Sequence, residues 1–192
     1  MAKYDVTQTE NTAGGDIVGG NKTTTTNNLN ITHSKSAYLK DLYQKFLTEE
    51  KNNPQFKAFI EELDYYNSQI ENESVIGLDK KLIAGNRENI LWYAKEVKER
   101  FHKKLLQTSQ FSLVAQKINV YLLATVRSYY MLEVYPLVCD NADALFINNL
   151  IKEKIINPLM TELGENLFEF TPDDILGMMY FLTGNCHIKW TA

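Results

Sequence analysis

The chain has 192 residues, 44% of them hydrophobic and 23% charged, with a formal charge of −4. That length supports one globular domain with a real core, and the apolar and aromatic content excludes a chain disordered throughout. The acidic balance argues against a strongly basic nucleic-acid binder, and no apolar run reaches the length of a membrane span. The N-terminus, MAKYDVTQTE, lacks the apolar stretch of a signal peptide. Cys139 and Cys186 are too few for a disulfide framework and fit a reducing cytoplasm.

Residues 1–33 differ in kind from the rest, with eight Thr, five Asn and four Gly but a single aromatic, Tyr4. Such a segment cannot build a core alone. Three pieces of strand character, around Val6, around Ile17-Val18 and around Leu29-Ile31, are spaced about eleven residues apart. Gly14-Gly15 and Gly19-Gly20 bracket the central piece and permit tight turns. One copy would leave strand edges unpaired, whereas several chains could pair each other's edges. Gly15, Asp16, Ile17, Val18, Gly19, Gly20 and Asn21 are therefore expected at an oligomer interface. The competing reading is a flexible Thr/Asn-rich leader. A phosphate-binding loop fits poorly, because no GKS/T ending follows the glycines and no helix pattern begins there.

From Ser34 the pattern turns helical. Ser34 or Ser36 caps a helix whose stripe is Tyr38, Leu39, Leu42, Tyr43, Phe46 and Leu47, broken at Asn52-Asn53-Pro54. Phe56, Phe59, Ile60, Leu63, Tyr66 and Ile70 form a second stripe. Glu71 to Asn86 is ambiguous, with Gly77 and Gly85 as turn positions. A long helix from about Arg87 to Gln107 buries Ile90, Leu91, Ala94, Val97, Phe101 and Leu105. Phe111 to Val138 is the most apolar stretch and reads as the central helix. Asp140 or Asn141 caps a helix to about Leu163, with a kink or break at Asn157-Pro158. Thr171-Pro172-Asp173-Asp174 is a strong helix start, and Gly184 ends that helix. The fold class is mainly α: an all-α multi-helix domain over residues 34–192 behind a short N-terminal Gly/Thr/Asn-rich β segment.

Candidates for chemistry are thin. Cys186-His187 is the one adjacent pair of soft ligands, but no CxxC or HxxxH spacing completes a metal site. As neighbours in an extended segment they point apart, which disfavours a nucleophile–base pair. His33 and His102 read as solvated bystanders. No metal, cofactor or catalytic residue is expected; a small helical metal protein or cysteine enzyme using Cys186 and His187 is the alternative.

Charge is uneven. Eight basic and three acidic residues lie between Lys80 and Lys104, against nine acidic and three basic between Asp41 and Asp79. Lys95, Lys98, Arg100, Lys103 and Lys104 read first as a solvated helix face, and second as candidate phosphate contacts of a nucleic-acid-binding subunit. Trp190, near the end of the sequence, either packs onto its own core or anchors a partner.

Two stretches resemble a known group. Residues 14–22, GGDIVGGNK, are similar to short segments of bacterial conflict-system proteins. Residues 174–190, DILGMMYFLTGNCHIKW, resemble the end of C-terminal domains in ABC-three-component systems, a group that includes Lamassu-type antiphage defence. That resemblance implies a helical docking domain working with an SMC-like ABC ATPase and a middle component. It also implies an effector ahead of the helices, where this sequence has only the Thr/Gly-rich segment, so the expectation is either a stand-alone small subunit or one that has lost or never had an effector. Phe181, Leu182, Cys186, His187, Ile188 and Trp190 are then structural or docking residues, with Cys186, His187, Ile188 and Trp190 as the expected partner-docking set. The expectation is a non-enzymatic, homo-oligomeric, cytoplasmic docking subunit of a bacterial antiviral complex, without membrane contact.

Overall fold

The computed structural model describes residues 36–50, 58–70 and 75–192. The expected β segment, with its interface residues 15–21, lies outside them. All regular structure among the described residues is helical.

Helix α1 spans Ala37–Glu50, and the Ser36 hydroxyl accepts from the Leu39 amide at 3.4 Å, which makes Ser36 the cap. Its stripe is narrower than the spacing predicts: Leu39, Leu42 and Tyr43 are buried, while Tyr38 and Leu47 are exposed. Helix α2 is short, Glu61–Asn67, because Ser68 turns extended and Ile70 leaves the helix. Helix α3, Leu78–Ala84, occupies the ambiguous stretch between Gly77 and Gly85, with Gly77 at φ +86° supplying the turn. A 3₁₀ turn, Glu88–Ile90, leads into α4, Leu91–Ser109.

Helix α5, Leu113–Tyr129, is capped twice over. Its own Ser112 hydroxyl accepts from the Ala115 amide at 2.9 Å. The Glu49 carboxylate of α1 accepts from the Ser112 hydroxyl at 2.7 Å and from the Leu113 and Val114 amides at 3.1 Å each. A carboxylate there also meets the positive end of the helix dipole, so α1 is tied to α5 by charge as well as packing.

Two prolines shape the next two helices in the same way. Helix α5 runs through a π-helical turn, Tyr130–Val134, into α6, Tyr135–Cys139; α7, Ala144–Ile151, runs through Lys152–Ile156 into α8, Asn157–Leu163. Pro136 and Pro158 each stand second in the segment after the π turn. A proline has no N–H for the carbonyl four residues back, and its ring clashes with that carbonyl. Leu132 and Lys154 hold those positions, inside the widened turns, so the π turns relieve the clash without ending the helix. The kink expected at Pro158 is this device. The cap of α7 is Asp143, not Asp140 or Asn141: its carboxylate accepts from the Leu145 and Phe146 amides at 2.8 and 3.3 Å. Asn141, at φ +55°, is consumed in ending α6, which moves the cap two residues on.

Helix α9, Pro172–Gly184, follows its predicted start closely, with a full capping box between Thr171 and Asp174. It also corrects the expected centre of the fold. Every residue from Ile175 to Gly184 except Leu176 is buried, so α9 rather than the 111–138 stretch runs through the middle. Its most extensive partner is α4, with α3 and α5 also against it. Close approach to α4 depends on Gly177, where an added Cβ would lie 2.6 Å from the Phe101 Cβ and hard against the Val97 carbonyl. We expect Gly177→Ala to destabilise the fold by about 1–3 kcal/mol through overpacking, although alanine is the better helix former. Urea denaturation followed by far-UV circular dichroism checks this; an unchanged midpoint would count against the packing described.

Candidate docking site

The residues after α9 do not leave the domain. Cys186 takes φ +65° and turns the chain back, with its amide donating to the Thr183 carbonyl and the His187 amide to the Leu182 carbonyl. Residues 186–190 then form a strap in which Cys186, His187, Ile188 and Trp190 are all buried. Irregular backbone under cover must find hydrogen-bond partners, since helix and sheet ladders are absent. Three helical neighbours supply them. The Arg127 Nε donates to the His187 carbonyl at 3.4 Å, the Lys81 Nζ to the Ile188 carbonyl at 3.0 Å, and the Tyr130 hydroxyl to the Lys189 carbonyl at 2.7 Å. Trp190 donates from Nε1 to the Thr183 hydroxyl at 3.1 Å and packs its ring between Tyr130 and Tyr180. Of the two readings of Trp190, the isolated domain uses packing onto its own core.

His187 holds α2. Its Nε2 lies 3.2 Å from the Ser68 carbonyl, an acceptor, so Nε2 carries the proton. Tyr65 and Tyr66 flank the ring at 4.8 and 5.3 Å. Beside it, Asn185 donates to the Tyr66 carbonyl at 2.8 Å. Burial lowers the imidazole's affinity for a second proton, and the Arg127 and Lys81 charges lower it further, against the opposing pull of the Ser68 and Tyr65 backbone. Cys186 and His187 each serve the packing of the strap. Among the described residues no three His, Cys, Asp or Glu side chains gather as a metal-binding group. His102 is half-buried and stacked on Phe181 at 5.7 Å, rather than free in solvent.

The basic face of α4 is largely engaged within the domain. Arg100 pairs with Asp173 at 3.1 Å and reaches Asp174, and Lys104 meets Asp174 at 2.9 Å and donates to the Glu169 carbonyl at 3.0 Å. Lys95 pairs with Asp79, and Lys103 with Glu99 on its own helix. Lys98 lies against Gly184. Spacing shows the i,i+4 pair of Lys103 with Glu99; it does not show that Lys95, Arg100 and Lys104 meet acids from other parts of the chain. Burial pushes the Asp174 carboxyl up, but hydrogen bonds from Lys104 and Thr171 outweigh it and leave the group below its usual range.

A cleft of about 270 Å³ opens where the strap meets the ends of α3 and α6 and the start of α7. Arg87, Cys139, Asn141 and Trp190 line it, with Gly85 packed so closely that an added Cβ would lie 2.7 Å from that of Trp190. Arg87 is 5% exposed and sits 5.4 Å from the Trp190 ring centroid. No pattern in the sequence singles out Arg87; it reads as an ordinary residue at a helix start, and the groups that hold it, Ala144 and Asn148 of α7 and the strap's Trp190, are distant in sequence.

Residues 77–190 match the family described as C-terminal domain 9 of the ABC-three component (ABC-3C) systems. The chain belongs to that family. The matched span runs from the turn before α3 to Trp190, so it takes in both the strap and the cleft, and it contains the 174–190 stretch on which the resemblance rested. Residues 14–22 lie outside it. Among curated proteins and among solved structures, none matches the chain. No helix among the described residues is long and apolar enough to cross a membrane.

Two stability measurements follow from this CTD9 geometry. The folded His187 resists protonation, so stability is intact above the ordinary imidazole pKa near 6.5 and falls as pH drops through it, where the unfolded chain takes the proton first. Chemical denaturation at stepped pH from 7.5 to about 5 should show that loss, and His187→Gln should flatten it. Asp174 acts in a separate window: its contribution is present above about pH 4 and is lost as pH falls through its depressed folded value. Asp174→Asn should cost roughly 2–3 kcal/mol at neutral pH, combining a weakened cap with the lost charge on Lys104 and Arg100. Equal stability of wild type and variant would dismiss that role.

Proposed function

We propose that this chain is a non-enzymatic oligomerisation and docking subunit of a multi-component bacterial antiphage complex of the ABC-three-component kind. The observation that carries the reading is the CTD9 match over residues 77–190, which covers most of the helical domain and gives the chain protein partners. An SMC-like ABC ATPase and a middle component are the partners we assign to it, with assembly in the cytoplasm. The groups considered for chemistry support the reading: His187 and Cys186 are taken up by the strap, and Asp173 and Asp174 start α9 and bind α4. The engagement of Arg100 and Lys104 within the domain makes direct nucleic-acid binding through that face the weaker alternative. Residues 15–21 are assigned to self-association.

Co-expression with the neighbouring ATPase and middle-component genes, followed by purification through a tag on either partner, tests docking. The full chain should come through in a fixed ratio, and recovery of the partners without it would reject the proposal. Light scattering tests assembly: the 22.1 kDa chain should run as a discrete oligomer that Ile17→Asp with Val18→Asp reduces to monomer. An unchanged mass would remove residues 15–21 from the interface.

A further inference from the structure

Arg87 presents an unusual electrostatic situation. Its Nη1 donates to the Asn148 amide oxygen at 2.8 Å and to the Ala144 carbonyl at 3.3 Å. Trp190 covers one face of the guanidinium. None of these partners carries a negative charge. The Nε–Nη2 edge makes no hydrogen bond to a described residue, and no carboxylate among them lies within ion-pair distance. The Asp143 carboxylate, whose Oδ1 caps α7, acts on Arg87 only at longer range and makes no ion pair with it. A buried cation is costly unless it is paired. Here the unpaired edge belongs to a residue that lines an open cleft.

The cleft's other features narrow the chemistry. Arg87 is the one charged side chain among its lining residues, so the site offers a single planar fork. Phosphodiester chains are usually held by several cations, whereas one Nε–Nη2 edge is the geometric complement of one carboxylate. Around Arg87 the cleft wall is partly apolar, with Val138, Ala142 and Ala144 among its lining residues. A volume of about 270 Å³ suits one or two side chains, not a folded domain surface.

We propose that this cleft binds an extended protein segment through an Asp or Glu side chain seated on Arg87, with apolar residues on either side of the acid contacting Val138, Ala142 and Ala144. The inference rests on the docking reading and gives it a place on the molecule. Binding by an acidic–apolar segment supplies the missing counter-charge, and Ala144, Asn148 and Trp190 already hold the guanidinium so that little ordering is needed on association.

The test uses the full chain and a random decapeptide library displayed on phage, with synthetic copies of the selected peptides measured by calorimetry. Selected sequences should share one Asp or Glu between apolar residues. Replacing that acid by its amide should weaken binding at least about tenfold, as for loss of a charge-assisted bidentate pair. Ala84→Trp, at an exposed position lining the cleft, should abolish binding without disturbing the core. Arg87→Lys should keep the charge but lose the fork, and bind about tenfold more weakly. The proposal falls if no peptide is selected, if the amide peptides bind equally well, or if Ala84→Trp has no effect. Displacement by inorganic phosphate where acetate does nothing would assign the cleft to a phosphate and overturn it too. The docking reading is judged apart: partners that still co-purify with Ala84→Trp uphold docking and reject this site, whereas a wild-type chain that binds peptides but no partner does the reverse.

Discussion

The burial of α9 constrains everything else in this domain. A helix covered on nearly every side cannot release its following residues directly into water, so the chain must turn back through the interior as irregular backbone. Irregular backbone in an interior is tolerable only where each polar group finds a partner. Lys81, Arg127 and Tyr130 satisfy three consecutive carbonyls, and they come from α3, α5 and the π turn after it. Two segments far apart in sequence, α3 and the run from α5 into its π turn, are thereby fixed relative to one another by one short stretch. The buried apolar surface of Ile188 and Trp190 supplies the drive, on the order of 1.5–3 kcal/mol for each side chain. The hydrogen bonds supply the register.

Charge plays the same architectural part. The basic surplus between Lys80 and Lys104 is visible in the sequence, and a surplus of that kind commonly signals an external anion. Here Asp173 and Asp174 sit at the start of α9, where the helix dipole already favours carboxylates, and α4 brings Arg100 and Lys104 to them. The capping box, the dipole and the ion pairs thus act on the same two acids. Since Asp174 is buried, that cluster is insulated from salt more than a surface pair would be.

What the sequence discloses follows from which forces are local. The start of α9 is legible to the residue because a capping hydroxyl, a proline and two acids act within one turn. The irregularity at Pro158 is legible for the same reason, although the helix continues through it, and the stripe of α4 is read correctly at Ala94, Val97, Phe101 and Leu105. The centre of the fold is misread because apolar density favours the 111–138 stretch, whereas coverage is decided by how many neighbours surround a helix. Gly177 lets α4 close on α9, and no local pattern announces that contact. The cap of α7 is displaced to Asp143 because Asn141 is needed to end α6, a competition between two adjacent elements. The 174–190 stretch, on which the resemblance rested, folds as a buried helix and its return strap, so most of its small, aromatic and polar residues have a place in the core. The cleft is illegible in the same sense, since Arg87, Cys139 and Trp190 come from three separate parts of the chain.

The strap and the cleft are one structural event. Trp190 donates to Thr183 in the core, stacks near Tyr180, and turns a face toward Arg87 at the cleft. Arg87 in turn is oriented by Ala144 and Asn148 of α7, so the cleft exists only when the strap has closed and α7 is in place. Any ligand that engages Arg87 in this geometry binds the folded strap and not the open one. By linkage it must stabilise the strap by the free energy with which it prefers the closed form. Occupancy of the cleft is therefore coupled to the order of residues 186–190, and through the His187 contact with Ser68 to the seating of α2. If the cleft is the docking site proposed above, a partner bound there would stiffen the strap and the seat of α2 together.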